Sequence, residues 1–129
     1  MKKLLVAAVL FALPAFAAGD AKKGETHYKT LCVSCHGEKG DGNGPAGAAL
    51  NPHPTNFTDP ANADRLTEDW VYKMVKNGGA ANGKSPLMVS WAGALDEQGL
   101  KDVTAYVLTL KPAKAAPAPA PAAPAKKKK

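Results

Sequence analysis

The feature that most constrains this chain is the pentapeptide Cys32-Val33-Ser34-Cys35-His36. Its C-x-x-C-H spacing is the one at which two thiols can attach covalently to the two vinyl groups of a haem. Two cysteines three residues apart on a helical turn point the same way, and the adjoining His36 can place its imidazole on the iron. The motif therefore predicts one covalent haem c, with Cys32 and Cys35 as thioether attachments and His36 as an axial iron ligand.

Two other kinds of site also use closely spaced cysteines. A zinc site needs four ligands and usually a second cysteine pair, whereas this chain has two cysteines and three histidines in all. A redox-active dithiol of the thioredoxin kind follows a buried strand in a βαβ context, and no β-branched run precedes Cys32. The sequence therefore favours the haem over both alternatives.

Residues 1–17 have the pattern of a secretory signal peptide, with two lysines at the start and then an apolar run. Ala15-Phe16-Ala17 is a small-x-small cleavage site, so we expect the mature chain to begin at Ala18. A retained membrane anchor is the alternative, although the apolar run is short for one. Covalent haem attachment takes place outside the bacterial cytoplasm, and the sequence therefore predicts a periplasmic bacterial protein.

Residues 112–129 are predicted to be a disordered tail, because proline and alanine alternate there before four final lysines. The tail is either a functionally silent extension or a basic arm that contacts an anionic membrane or an acidic partner. The basic arm would act through the four lysines at its end, Lys126, Lys127, Lys128 and Lys129.

The formal net charge of +6 comes from the two ends of the chain. Between Gly19 and Lys111 there are ten basic residues against all eleven acidic ones, so this part has a net charge of −1. The high pI is therefore no sign of a basic binding face, and we expect no nucleic-acid partner.

Residues 18–111 suffice for one small domain, whose apolar core would be marginal without the bulk of a haem. Hydrophobic periodicity and capping residues predict three helices, at Ala21–Leu31, Thr67–Lys76 and Asp96–Leu110. The middle helix has a predicted buried stripe of Trp70, Val71, Met74 and Val75. Residues 37–60 are rich in glycine and proline, which predicts a long loop wrapped around the cofactor. No segment alternates like a strand, so the fold class is all-α.

The order of these features resembles the class I c-type cytochromes over residues 19–111. In that family a first helix with a small residue and an aromatic, here Gly24 and Tyr28, leads into C-x-x-C-H. A glycine- and proline-rich loop, a middle helix, a methionine loop and a last helix with an aromatic, here Tyr106, follow. The resemblance implies a small all-α cytochrome c fold in which the first and last helices cross closely, with Gly24 leaving room for the ring of Tyr106.

The resemblance also implies a methionine as the second axial iron ligand, and Met88 is the best placed. It lies in an aperiodic stretch about fifty residues after His36, where the family has its ligand just before the last helix. The stretch departs from the commonest family pattern, in which proline follows the methionine directly. Here Val89 follows, and Pro86 lies two residues before Met88.

Three other residues compete with Met88 as the second ligand. Met74 has the spacing of a core residue on the middle helix, and His53 lies between two prolines in the long loop. His27 precedes Tyr28 and therefore points about a hundred degrees away from the haem-side face of its helix, which predicts a surface residue.

Two further residues are expected in the haem environment. A histidine that binds metal through one nitrogen usually donates from the other to a carbonyl, and the resemblance points to Pro45, with Pro52 as the alternative. Trp91 either fills the core or, as the family implies, shields the haem edge or a propionate with its indole N–H as donor.

Ligation by His36 and Met88 would leave no iron position for oxygen or substrate, which favours single-electron transfer at a relatively high potential over catalysis. The expected function is a monomeric periplasmic carrier between a membrane quinol-oxidising complex and a terminal oxidase or reductase. Its partners would meet it briefly at an exposed haem edge. Small uncharged residues expected to line that edge are Val33, Ser34, Ala46 and Ala48. The alternatives are a haem enzyme or sensor with an open or labile distal site and a dedicated electron-transfer subunit of a larger complex.

Overall fold

The computed structural model describes residues 18–113, and every regular element in that range is helical. The α-helices are α1 (Ala21–Leu31), α2 (Val33–His36), α3 (Glu68–Asn77) and α4 (Glu97–Leu110). Two short 3-10 helices cover Pro60–Asn62 and Ala80–Asn82. The prediction of an all-α fold is thereby confirmed. The predicted signal peptide and residues 114–129 of the predicted tail lie outside the described residues.

The three long helices begin where the sequence predicts, because a side chain caps each of them. Asp20, Thr67 and Asp96 each accept a hydrogen bond from a backbone N–H of the first helical turn that follows. The predicted α3 and α4 each begin one residue too early, since the capping residue itself precedes the helix, and α3 ends one residue later than predicted, at Asn77. Within the described range, no helix is both long and apolar enough to cross a bilayer.

Helices α1 and α4 cross in backbone contact, and Gly24 makes this possible. A Cβ atom at Gly24 would lie 1.9 Å from the carbonyl oxygen of Asp102 and 2.9 Å from the amide nitrogen of Val103. The close crossing of the first and last helices is therefore as expected, but its details differ. Gly24 faces the backbone of α4, whereas the ring of Tyr106 packs on that of Tyr28, with 5.1 Å between the centroids.

A buried carboxylate strengthens the same crossing. Asp102, which is 2% exposed, accepts hydrogen bonds from the backbone N–H of Asp20 at 2.7 Å and from Nε2 of Gln98 at 2.8 Å. It thereby ties the residue before α1 to the middle of α4. Nothing in the apolar periodicity of α4 indicates this role, since an aspartate is ordinarily a solvent-facing residue.

The apolar core lies between α1, α3 and α4. Its buried members are Tyr28, Phe57, Leu66, Val71, Val75, Leu95, Leu100, Val103 and Val107. Three of the four residues predicted to form the buried stripe of α3 are buried. Trp70 is only half-buried, because its ring borders a cavity and has the guanidinium of Arg65 over its face. This cavity brings together the residues that the sequence analysis singled out.

Candidate functional site

A cavity of about 430 Å³ lies beside the core, between the helices and the loops that connect them. Most of the predicted site residues line it, namely Cys32, Cys35, His36, Met88 and Trp91. Pro45 is exposed and does not border the cavity, whereas Pro52, the alternative to Pro45, does. The structure thus brings together the C-x-x-C-H motif and Met88, which are far apart in the sequence.

The proximal side of the cavity is a continuation of α1. Cys32 ends α1 and also precedes α2: its N–H donates to the carbonyl of Tyr28 and its own carbonyl accepts from the N–H of His36, both at 2.9 Å. The hydroxyl of Tyr28 donates to the carbonyl of Gly37 at 2.7 Å, in the interior. The position of the motif is therefore determined by the same helix that crosses α4.

The ring of His36 is held inside the protein. It stacks on Phe57 with 4.7 Å between the ring centroids and 15° between the planes. Burial lowers the pKa of His36, which favours the neutral imidazole that binds metals. Its Nδ1 is buried, and a hydrogen-bonding interaction with the backbone of Thr55 partly offsets the effect of burial on the pKa. A buried, neutral imidazole that borders a cavity fits a ring that belongs to a cofactor site.

The surroundings of the two cysteines do not match either alternative to a haem site, a redox-active dithiol or a zinc site. Burial, with a further contribution from Cys35, raises the pKa of the Cys32 thiol to about 12, whereas a redox-active dithiol needs a lowered thiol pKa. Cys32 also lies at a junction of two helices and not after a strand. In the range 18–113, no three histidine, cysteine or acidic side chains come together in the way that a zinc site requires.

Met88 lies on the distal loop, residues 78–91, which is fastened to the end of α3. The N–H of Gly79 donates to the carbonyl of Met88 at 2.7 Å, and the N–H of Trp91 donates to the carbonyl of Val75 at 3.0 Å. A Cβ atom at Gly79 would lie 2.1 Å from the carbonyl oxygen of Ser85 and 3.1 Å from Cβ of Met88. The loop therefore has its backbone directly against this glycine, and Met88 is half-buried at the cavity.

The three competitors of Met88 have different surroundings. Met74 is buried on α3 as a core residue, although it also borders the cavity. His53 borders the cavity too, but it is exposed, and its Nδ1 lies 3.2 Å from the carbonyl oxygen of Pro54. His27 is half-buried on α1 and is not one of the cavity residues.

The long loop lies on the outer side of α2, and two glycines that the sequence analysis did not single out place it there. A Cβ atom at Gly47 would lie 2.0 Å from the carbonyl oxygen of Cys35, and one at Gly44 would lie 2.4 Å from that of Ser34. In the sequence, only the recurrence of glycine after the C-x-x-C-H motif indicated that the loop packs closely against α2. The predicted lining residues Ser34, Ala46 and Ala48 are exposed here, and Val33 is half-buried.

The helical fold and the cavity with its C-x-x-C-H motif together define a haem protein of the cytochrome type. The chain belongs to the cytochrome c family, whose model matches residues 21–111. Membership implies one covalently bound haem c, and the chain is similar both to a cytochrome c and to subunits of cbb3-type oxidases.

Over the aligned residues, about a third are identical between this chain and its named relatives. Cytochrome c-554(547) of Halothiobacillus neapolitanus is 33% identical over 98 residues, which cover 73% of this chain and 100% of that protein. The cbb3-type cytochrome c oxidase subunit FixP of Bradyrhizobium diazoefficiens is 32% identical over 106 residues, covering 78% of this chain. The match spans only 31% of FixP and 29% of a related subunit, CcoP of Azospirillum brasilense.

A solved structure shows the same fold. It is a Kuenenia stuttgartiensis reducing HAO-like protein complex, which aligns with a TM-score of 0.59 and 26% identity over 71% of this chain and 43% of that one.

Proposed function

We propose that this protein is a periplasmic single-electron carrier in which Cys32 and Cys35 hold the haem and His36 and Met88 bind its iron. The observation that carries the proposal is that one cavity brings the C-x-x-C-H motif and Met88 together. The signal-peptide pattern of residues 1–17 supports export, and N-terminal sequencing of the purified protein would test it.

Haem c supplies an iron that cycles between the ferrous and ferric states. Two protein ligands leave no open iron position, so His36 and Met88 favour electron transfer over catalysis. The thioether of Met88 stabilises the reduced state, and the mainly apolar walls of the cavity disfavour the extra positive charge of the oxidised state. We therefore expect a relatively high reduction potential.

Partner proteins would approach the side of the molecule that bears the two cysteines. Ser34, Ala46 and Ala48 are exposed, small and uncharged there, which permits a close and brief encounter. We propose a quinol-oxidising complex as the donor and a terminal oxidase or reductase as the acceptor. The likeness to cbb3-type oxidase subunits supports an oxidase on the acceptor side.

The test of the ligand assignment is a matched pair of methionine substitutions. Met88→Leu and Met74→Leu each remove one sulfur at nearly constant volume. Met74→Leu is therefore expected to lose no more than about 1.5 kcal/mol of stability, whereas Met88→Leu would also lose the bond to iron. We expect wild type and Met74→Leu to be six-coordinate and low-spin, with a weak red band from sulfur-to-iron charge transfer. Met88→Leu should lose this band and become high-spin or acquire a different ligand.

Two results of that experiment would contradict the proposal. A wild-type protein that is already high-spin, or whose ferrous form binds carbon monoxide readily, would indicate an enzyme or sensor with an open distal site. Loss of the red band in Met74→Leu alone would assign the iron to Met74.

A second candidate function is a dedicated electron-transfer subunit of a larger complex. The likeness to CcoP and FixP favours it, because those oxidase subunits contain a matching region within longer chains. Recovery of the full chain from its native membranes in a constant ratio to a partner would support this function, and recovery as a free monomer would support the mobile carrier.

A further inference from the structure

The carbonyl groups at the end of α3 bind the distal loop. The last carbonyls of a helix have no partner within the helix and must find one elsewhere. The carbonyl of Met74 accepts from the N–H of Gly78 at 2.9 Å, and that of Val75 accepts from the N–H of Trp91 at 3.0 Å. Gly78 and Trp91 are the two ends of the distal loop, so the end of α3 is the base on which this loop stands.

Asn82 adds two hydrogen bonds from a side chain near the beginning of the loop. Its Nδ2 donates to the carbonyl of Gly78 at 2.7 Å and to that of Lys73 at 3.2 Å. An amide nitrogen has two hydrogens, so both donors of the half-buried Asn82 are in use. Its backbone N–H donates to the carbonyl of Gly79 at 2.9 Å. Asn82 therefore joins the loop to the last turns of α3.

Ser90 makes a corresponding contact near the other end of the loop. Its hydroxyl donates to the carbonyl of Lys76, in the last turn of α3, at 2.5 Å. The same oxygen accepts from the N–H of Ala92 at 3.4 Å. Met88 lies between Asn82 and Ser90 in the chain, so a side-chain hydrogen bond to α3 is present on each side of it.

The segment around Met88 has little else to hold it. Its neighbours pack weakly on the rest of the chain, since Leu87 is 61% exposed and Val89 is 51% exposed. Asn82 and Ser90 do not line the cavity, so neither contacts a group bound there. They can affect the iron only through the position of Met88, and this separates their role from that of the cavity walls.

We infer that Asn82 and Ser90 are positioning residues that keep Met88 on the iron by fastening the distal loop to the end of α3. The inference rests on the proposed function, since it takes Met88 as the second axial ligand. Loss of either contact lets the loop move, so Met88 leaves the iron more readily and another ligand can take its place. The two contacts thereby suit a carrier, whose iron keeps both protein ligands.

Asn82→Asp tests the first contact, because it keeps the size of the side chain and replaces both N–H donors by an oxygen. Asn77→Asp is the matched control. Asn77 also precedes a glycine at the end of α3, but it is exposed and its side chain forms no hydrogen bond with a described residue. Both substitutions add one negative charge near the negative end of the helix dipole, so their difference isolates the hydrogen bonds.

Ser90→Ala and Ser90→Thr test the second contact without a change in charge. Ser90→Ala removes the hydroxyl that binds the Lys76 carbonyl, whereas Ser90→Thr keeps a hydroxyl at the same position. A role that depends on the hydrogen bond is therefore lost in the first variant and retained in the second.

The experiment is an imidazole titration of the ferric, haem-loaded full chain, because imidazole competes with Met88 for the iron. We expect imidazole to bind Asn82→Asp about tenfold more tightly than Asn77→Asp, since two hydrogen bonds that hold the loop are lost. Ser90→Ala should bind it about threefold more tightly than wild type, and Ser90→Thr should resemble wild type. The red sulfur-to-iron band is the second readout and should weaken in the same two variants.

The outcomes separate this inference from the proposed function. Tighter imidazole binding and a weaker red band in Asn82→Asp and Ser90→Ala, but not in Asn77→Asp or Ser90→Thr, support the inference. Equal affinities of Asn82→Asp and Asn77→Asp, with Ser90→Ala like wild type, overturn it and leave the ligand assignment intact. An effect at only one of the two positions overturns the role of the other. A wild-type protein without the red band overturns the assignment of Met88 itself.

Discussion

Different interactions stabilise two regions of the molecule, the crossing of α1 and α4 and the loops around the cavity. At the crossing, apolar side chains recur with helical periodicity, and the backbones touch at Gly24. The long loop and the distal loop lack such periodicity and are fastened mainly by backbone hydrogen bonds and by glycines, such as Gly47 and Gly79, that lie on another segment's backbone. Stability should therefore depend mostly on the crossing, and the iron ligation mostly on the loops.

The largest effect that we expect comes from a methyl group at the crossing. Gly24→Ala would put Cβ 1.9 Å from a backbone oxygen, so α1 and α4 must separate, at a loss of about 3 kcal/mol or more of unfolding free energy. Gly93→Ala is the control, because nothing lies within 4 Å of its Cβ position. Urea unfolding measures the unfolding free energies of the two variants. Equal values for Gly24→Ala and Gly93→Ala would contradict a decisive role of the crossing in stability.

The corresponding substitution in the distal loop should affect the iron before it affects the fold. In Gly79→Ala the added Cβ would lie 2.1 Å from the Ser85 carbonyl oxygen, so the segment that bears Met88 must shift. We expect a weaker sulfur-to-iron band and a loss of about 1–3 kcal/mol, with the far-ultraviolet dichroism of the helices unchanged. A protein that keeps the band at full strength would show that the distal loop tolerates displacement.

A smaller effect is expected at Tyr28, where the crossing and the haem motif meet. Tyr28→Phe removes the hydrogen bond to the Gly37 carbonyl and should cost about 1 kcal/mol, because that carbonyl still accepts from the N–H of Gly40 at 3.1 Å. Tyr106→Phe is the matched control, since no described residue bonds to its hydroxyl. If both substitutions cost the same, the Tyr28 hydroxyl does not help to join the two regions.

The smallest effect concerns the contact between α3 and α4. Hydrogen bonds from Tyr72 and Lys76 lower the pKa of Glu97, so its charged form stabilises the fold above the ordinary glutamate pKa, and this contribution disappears as the pH falls through the lowered value. The stability difference between wild type and Glu97→Gln should therefore shrink as the pH falls from 7 to 3. Glu38→Gln, which removes an exposed carboxylate without an ion pair in the described structure, should show a smaller change.

The sequence predicts the two regions unequally. The helices follow from apolar spacing and from the caps Asp20, Thr67 and Asp96, which act within a few residues of the chain. Trp70 is less buried than its spacing predicts, because the cavity that it borders is produced by distant segments. Periodicity also gives no sign of the buried Asp102, whose partners are a backbone amide of another helix end and a neighbouring glutamine.

In the candidate site, the local motif was predictable and its surroundings were not. The spacing of Cys32, Cys35 and His36 places them at the cavity because a short helix follows directly on α1. Arg65 and Asn62 approach from the segment before α3, and no motif marks them. Arg65 reaches the cavity wall through a tertiary contact with Trp70, which a linear pattern does not contain.

Cys32 is the single residue between α1 and α2, and this determines which changes in chain length the domain tolerates. Its backbone is close to helical, with φ −113° and ψ −29°, so no linker separates the helix crossing from the haem motif. One inserted residue between Gly24 and Cys32 would rotate the motif by about 100° around the axis of α1 and turn it away from the cavity. An insertion near the exposed Ala48 or Ala49 would leave the motif in register. Variation in length should accordingly be confined to the loops.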